Sequence, residues 1–163
     1  MRRPADLALR PAGAADAAFL LALFASTRER ELAHLPGGEA ARKLFIRLQY
    51  AAQSHSYRSA FPDATLQLIA LQGMPAGRMI VDRSGAFVHL VDLSLLPAYR
   101  NRGLGTALLR ALLAEAAAGG RALRLQVDAA NPAARLYERL GFEPLRTDGF
   151  HRVMEARAAS SGK

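Results

Sequence analysis

The chain holds no cysteine. Disulfides, thiolate metal centres and a cysteine nucleophile are therefore excluded. The absence also suits a reducing compartment. Lysine is nearly missing, with Lys43 and Lys163 its only instances. Arginine carries the positive charge instead, scattered along the chain with no dense basic run. The net charge of +8 therefore describes a generally basic surface, and nucleic acid is not an expected partner. Such a field suits an anionic small molecule better. Long apolar runs are missing too. Asp6, Arg10 and Asp16 interrupt the opening segment, which does not read as a secretory signal. Nothing approaches the roughly 18 uninterrupted apolar residues of a membrane span. A cytoplasmic protein without membrane contact is the expectation. His34, His55, His89 and His151 show no ligand spacing, so no metal is expected.

What is present suits one domain. A hydrophobic fraction of 51% over 163 residues supports a substantial core. The domain is expected over 1–157, with "AASSGK" at 158–163 as a disordered tail. "LALRPA" alternates and reads as a first strand. Asp16 is placed to cap one helix running through "AAFLLALFASTRERELAHL" to Pro36. A second helix is expected from Glu39 to about Ala60, with Leu44, Phe45 and Leu48 facing the core. The period then changes to two. "ATLQLIALQG" and "PAGRMIVDR" form a hairpin around Gly73. "AFVHLVDLSLL" is apolar on both faces and reads as a central strand. A helix from about Arg102 to Ala118 follows, then the strand "ALRLQVDA", a short helix over 131–140, and two strands broken at Asp148-Gly149. The order is β-α-α-β-β-β-α-β-α-β-β, an α/β mixed sheet with helices on both faces.

The stretch "YRNRGLGTALLRALL" places two glycines where a helix starts. Gly103 and Gly105 let a ligand approach the backbone. The first N–H groups of a helix lack intrahelical acceptors, and the helix dipole adds positive charge there. Phosphate binds well at such a place. Arg100 and Arg102 add full charges. Taken alone, a Gly-x-Gly can also be a plain tight turn. Two rival cradles do not fit. Thr106 follows Gly105 without the lysine of a nucleotide-triphosphate loop. Leu108 stands where a dinucleotide fingerprint needs its third glycine.

"LLPAYRNRGLGTALL" resembles the acyl-CoA-binding motif of GCN5-related N-acetyltransferases, the GNAT superfamily. The pattern Arg/Gln-x-x-Gly-x-Gly/Ala is matched by Arg100, Gly103 and Gly105. "LQVDAANPAARLYERLGF" resembles the family's second block. Together the resemblance covers about Ala86 to Phe142. It implies a GNAT-like fold with a splayed central strand pair and transfer from acetyl-CoA, coenzyme A being the product. It implies backbone contacts to the cofactor at Leu93, Ser94 and Leu95. It implies diphosphate contacts at Asn101, Arg102, Gly103, Leu104, Gly105 and Thr106, and a contact from Asn131.

Several residues keep two readings. Asn131-Pro132 also reads as a helix N-cap followed by proline at the first turn. Tyr137 is either a half-buried core aromatic or, as the resemblance implies, the general acid that protonates the departing thiolate. Asp92 lies in an apolar strand, so it is either paired with an arginine or used as a base. His89 is a second candidate base. The N–H of Leu95 is a candidate oxyanion donor. Gln49, Gln53 and Tyr57 form a polar stripe that is either a solvated face or an acceptor contact. Phe150 and His151 are weaker candidates for that contact. The acceptor is expected to be an amine of a small molecule, or of a protein or peptide. A non-catalytic acyl-CoA sensor is the alternative, and a homodimer is left open.

Overall fold

A computed structural model describes residues 4–128, 131 and 133–157. The expected tail at 158–163, the strand end at Ala129 and the helix-opening Pro132 lie outside the described residues. The elements are β1 (Leu7–Pro11), α1 (Ala17–Ser26), α2 (Glu29–Ala33), α3 (Gly38–Ala60), β2 (Thr65–Leu71), β3 (Met74–Asp82), β4 (Val88–Leu95), α4 (Leu104–Ala118), β5 (Leu123–Asp128), α5 (Ala134–Arg139), β6 (Glu143–Asp148) and β7 (His151–Ala156). The strands make one sheet in the order β1-β2-β3-β4-β5-β7-β6. Among the described residues only the β4–β5 pair is parallel. This is the mixed sheet with helices that the sequence pattern implies.

Three expectations are corrected. The first helix is two helices, because it breaks after Ser26. The Ser26 hydroxyl donates to the Leu23 carbonyl (2.6 Å), and the Thr27 hydroxyl to that of Phe24 (2.7 Å). Two successive back-bonds of this kind compete with the helical ladder. Asp16 does not cap α1 through its side chain. Its carboxylate instead accepts the Gly13 N–H (2.8 Å) and pairs with Arg10 (2.8 Å). Leu44 and Leu48 do not face the core; they are 59% and 61% exposed. The inner stripe of α3 runs through Ile46, Tyr50, Gln53 and Tyr57, all buried or half-buried. These positions follow the helical repeat, but only one of them is aliphatic.

The main core lies on the α4 face of the sheet. Leu104, Leu108, Leu109 and Leu112 pack against Met79, Val81, Val88, Leu90, Leu123 and Leu125. Each such leucine contributes on the order of 2 kcal/mol by leaving water. On the opposite face, Leu20, Leu23 and Phe24 of α1 and Ile46 of α3 are buried. Leu68 and Ile69 of β2 are adjacent and both fully buried. A strand can do that only when both its faces are covered. At the far edge, every residue of β6 is exposed, and its register with β7 slips between Pro144 and Arg146.

Candidate active site

The site grows from two irregularities in β4. The first is a register shift against β3 between Ile80 and Val81. Side chains alternate along a strand, so an extra residue reverses the alternation. His89 pairs with Asp82 and Asp92 with Ile80. Both therefore fall on the α3 face, although they are three residues apart. The second is a short parallel ladder. β4 meets β5 only at Val88, His89 and Leu90, opposite Leu123, Arg124 and Leu125. Beyond Leu90 the two strands have no partner in each other, and a gap opens between them.

The β3–β4 ladder sets which edge of β4 faces this gap. The Leu96 N–H donates to the Ala76 carbonyl (2.8 Å). In an antiparallel ladder, bonded and non-bonded pairs alternate. Ser94 therefore exchanges backbone bonds with Arg78, while Leu93 and Leu95 turn their backbone groups toward the gap. Of the three expected backbone contacts, Ser94 is turned the other way. The Leu95 carbonyl is met by Nε of Arg100 (2.9 Å), whose Nη2 also reaches Ser26 Oγ (3.5 Å). Arg100 thus sits at the rim tied to β4. Gly77 makes the close pairing of β3 and β4 possible, since a Cβ there would lie 2.1 Å from the Ser94 carbonyl oxygen.

The cradle lies at the mouth of the gap. Asn101 and Gly103 have left-handed backbones, with φ of 57° and 80°. Asparagine and glycine are the residues that tolerate this. The first N–H of α4 to bond backward is that of Ala107, to the Gly103 carbonyl (3.1 Å). The N–H groups of Leu104, Gly105 and Thr106 are left without an intrahelical acceptor, and no side chain caps them. Gly105 has an ordinary helical φ, and a Cβ there would meet nothing within 4 Å. Packing therefore does not require glycine at this position. Arg102 lies over the Tyr99 ring at 5.6 Å, outside the cleft lining.

Cradle and gap form one cleft of about 820 Å³. Its walls bring together Leu93, Ser94, Leu95, Asn101, Gly103, Gly105 and Thr106 with Asn131 and Tyr137. Asn131 Oδ1 accepts the Ala133 N–H (2.9 Å), but α5 begins only at Ala134 with Ala133 at its N-cap and no side-chain cap, so this is a local turn ahead of the helix and not the expected cap. Tyr137 is fixed from behind. Gly141, at φ 92°, ends α5; its N–H bonds the Glu138 carbonyl (3.1 Å) and that of Phe142 bonds the Tyr137 carbonyl (3.0 Å). This closure lays buried Phe142 edge-on to the Tyr137 ring at 5.7 Å. Burial, and then the charge of Asp92, raise the Tyr137 phenol above 10.

Asp92 has the arginine partner that its burial calls for. Its Oδ2 accepts Nε of Arg78 (2.7 Å) and Oγ of Ser94 (2.9 Å). Nη2 of Arg78 donates to Oε1 of Gln53 (2.8 Å). Sequence reasoning missed Arg78, because its pairing depends on the β3–β4 register. It missed Thr27, which lines the cleft, because the break between α1 and α2 was not foreseen. Tyr57 is half-buried, and burial followed by Asp92 raises its phenol. Gln49 is exposed and apart from the clefts. His89 lies in the closed half of β4, its ring 4.6 Å from that of Phe61, and burial lowers its pKa below 6.5. Phe150 is 84% exposed and His151 is exposed; neither lines a described cavity. Among the described residues, no three His, Cys, Asp or Glu side chains could hold a metal, and no helix is long and apolar enough to cross a membrane.

An unpaired-amide cradle opening into a splayed strand pair defines an α/β protein with a site for an extended, phosphate-bearing cofactor. The sequence profile described as "Acetyltransferase (GNAT) domain" matches residues 63–144, half of the chain. The protein belongs to the GNAT acetyltransferase family. A search of curated proteins returns no match. Among solved structures, the chain is similar to the PaiA N-acetyltransferase of Thermoplasma acidophilum, determined with coenzyme A. The two share 20% identity and a TM-score of 0.69, over 93% of this chain and 99% of that one. An acetyltransferase of Thermus thermophilus gives 21% and 0.66, over 97% and 100%. A GCN5-related N-acetyltransferase of Rhodopseudomonas palustris gives 26% and 0.62, over 93% and 95%.

Proposed function

We propose that this chain is a cytoplasmic, metal-independent N-acetyltransferase that moves acetyl from acetyl-CoA directly to a primary amine. The observation that carries the reading is that one cleft joins the Leu104–Thr106 amides, the Leu93 and Leu95 edge and Tyr137. The cofactor fits these residues: Gly105 faces open space where a side chain would intrude. The Leu104, Gly105 and Thr106 amides would hold its diphosphate, and the backbone edge of β4 its pantetheine arm. Coenzyme A supplies acetyl as a thioester. The Leu95 N–H offers a fixed donor to developing oxyanion charge. Tyr137, in the cleft wall, holds its phenolic proton ready for the departing thiolate. Its raised pKa keeps that proton in place through neutral and mildly alkaline pH.

Asp92 is the better candidate than His89 to receive the amine proton. It borders the open half of β4, and both its hydrogen bonds fall on Oδ2, so Oδ1 has no partner among the described residues. With no cysteine in the chain, a thioacyl enzyme is excluded, which supports direct attack. The sensor alternative draws on one observation, the pairing of Asp92 with Arg78. The test is free-thiol release from acetyl-CoA with a panel of small amines, peptides and polyamines. Tyr137→Phe keeps the packing on Phe142. It should lower kcat about 10²–10⁴-fold, as loss of a general acid does, with the Kd for coenzyme A unchanged. Binding of acetyl-CoA without thiol release from any amine would establish the sensor.

A further inference from the structure

A second cavity of about 340 Å³ abuts the cofactor cleft and shares Thr27, Leu93, Ser94 and Asn131 with it. Its charges do not balance. Arg28 and Arg78 stand against one carboxylate, Asp92. Arg78 is only 5% exposed, and its Nε and Nη2 are taken by Asp92 and Gln53. Its Nη1 has no partner among the described residues. Arg28 is loosely held, 3.8 Å from Glu31 and 5.0 Å above the Phe24 ring. Arg28, Arg78 and Asp92 all line this one cavity. Leu23 and Phe24 supply an apolar wall.

An occupant must bring an anion for the two guanidinium groups and an amine for the transfer. A polyamine brings only cations into an already positive cavity. A volume of about 340 Å³ is at the small end for ligand sites and suits a single small molecule. We infer that the acceptor is a small zwitterion of the amino-acid class, its carboxylate on Arg28 and Nη1 of Arg78 and its amine toward Asp92 Oδ1. This rests on the transferase reading above.

The test pairs amines that differ only in the carboxylate: phenylalanine with phenethylamine, and leucine with isopentylamine, with spermidine alongside. Thiol release should show kcat/KM at least tenfold higher for each amino acid than for its decarboxylated partner. Arg28→Gln, at a half-exposed position, should lower the phenylalanine value at least tenfold and bring its ratio to phenethylamine toward one. Preference for phenethylamine or spermidine, or an equal loss on both partners in Arg28→Gln, would overturn the inference. Calorimetric titration of phenylalanine and leucine into the coenzyme A-saturated protein reads the same contact without turnover. Saturable binding abolished by Arg28→Gln, with no thiol release from any amine, supports the carboxylate site while refuting the transferase. Absence of both binding and turnover of the amino acids refutes the inference itself.

Discussion

Gly105 separates what the fold needs from what the ligand needs. It lies in the first turn of α4 with a helical backbone, and a Cβ there would enter open space. Glycine inside a helix costs about 1 kcal/mol relative to the best formers, and leucine is among those. Gly105→Leu should therefore stabilise the protein by about 0.5–1 kcal/mol. For a chain of this length that raises Tm by roughly 1–4 °C. Binding should move the other way. Each amide bonded to a charged oxygen is worth about 1.5–3 kcal/mol net. A leucine that covers two such amides removes about 3–6 kcal/mol, at least a hundredfold in Kd at about 1.4 kcal/mol per decade. Thermal melts and calorimetric titration with coenzyme A read both effects on one sample. A variant that melts higher and still binds coenzyme A as tightly as wild type would refute the cradle.

Three further outcomes follow from other parts of the site. Gly77→Ala drives a methyl into the Ser94 carbonyl; it should cost about 1–3 kcal/mol, as overpacking does, and reduce turnover by displacing Leu95, which melts and thiol-release rates will show. Arg78→Met leaves Asp92 half-buried without its cation and should cost about 3 kcal/mol; adding Asp92→Leu should restore most of the stability in denaturant titrations but not the thiol release. Arg10 and the Gly13 N–H hold Asp16 down to about 2, against 3.8 for a free carboxyl. A lowered carboxyl pKa stabilises the fold above 3.8, and that stability fades as pH falls toward 2. Asp16→Asn should therefore lower Tm at about pH 7 and flatten its decline between about pH 4 and 2.

Much of this was legible in the sequence because it is local. Period-two stretches marked the strands, and glycines with unpaired helix amides marked the cradle. The block "LQVDAANPAARLYERLGF" marked the segment that carries Tyr137. What escaped depends on contacts distant in sequence. Leu44 and Leu48 looked like core because they are apolar, yet the inner stripe of α3 carries Tyr50, Gln53 and Tyr57, of which Gln53 lines the second cavity. The helical period grouped Gln53 and Tyr57 on one face but left open whether that face is solvated; only packing on the sheet decides it. Asp92 announced that it needed a partner, but only the bulged β3–β4 register names Arg78. The break at Ser26 and Thr27 was hidden because serine and threonine bond backward only when their rotamers permit.

β6 bears on how the molecule behaves at high concentration. An outermost strand with free amides and carbonyls invites another polypeptide to dock and extend the sheet. Here Pro144 withholds a donor, the slipped register bends the ribbon, and Arg146 and Asp148 hold their charges at the margin. Endless stacking of molecules along this border is thereby discouraged.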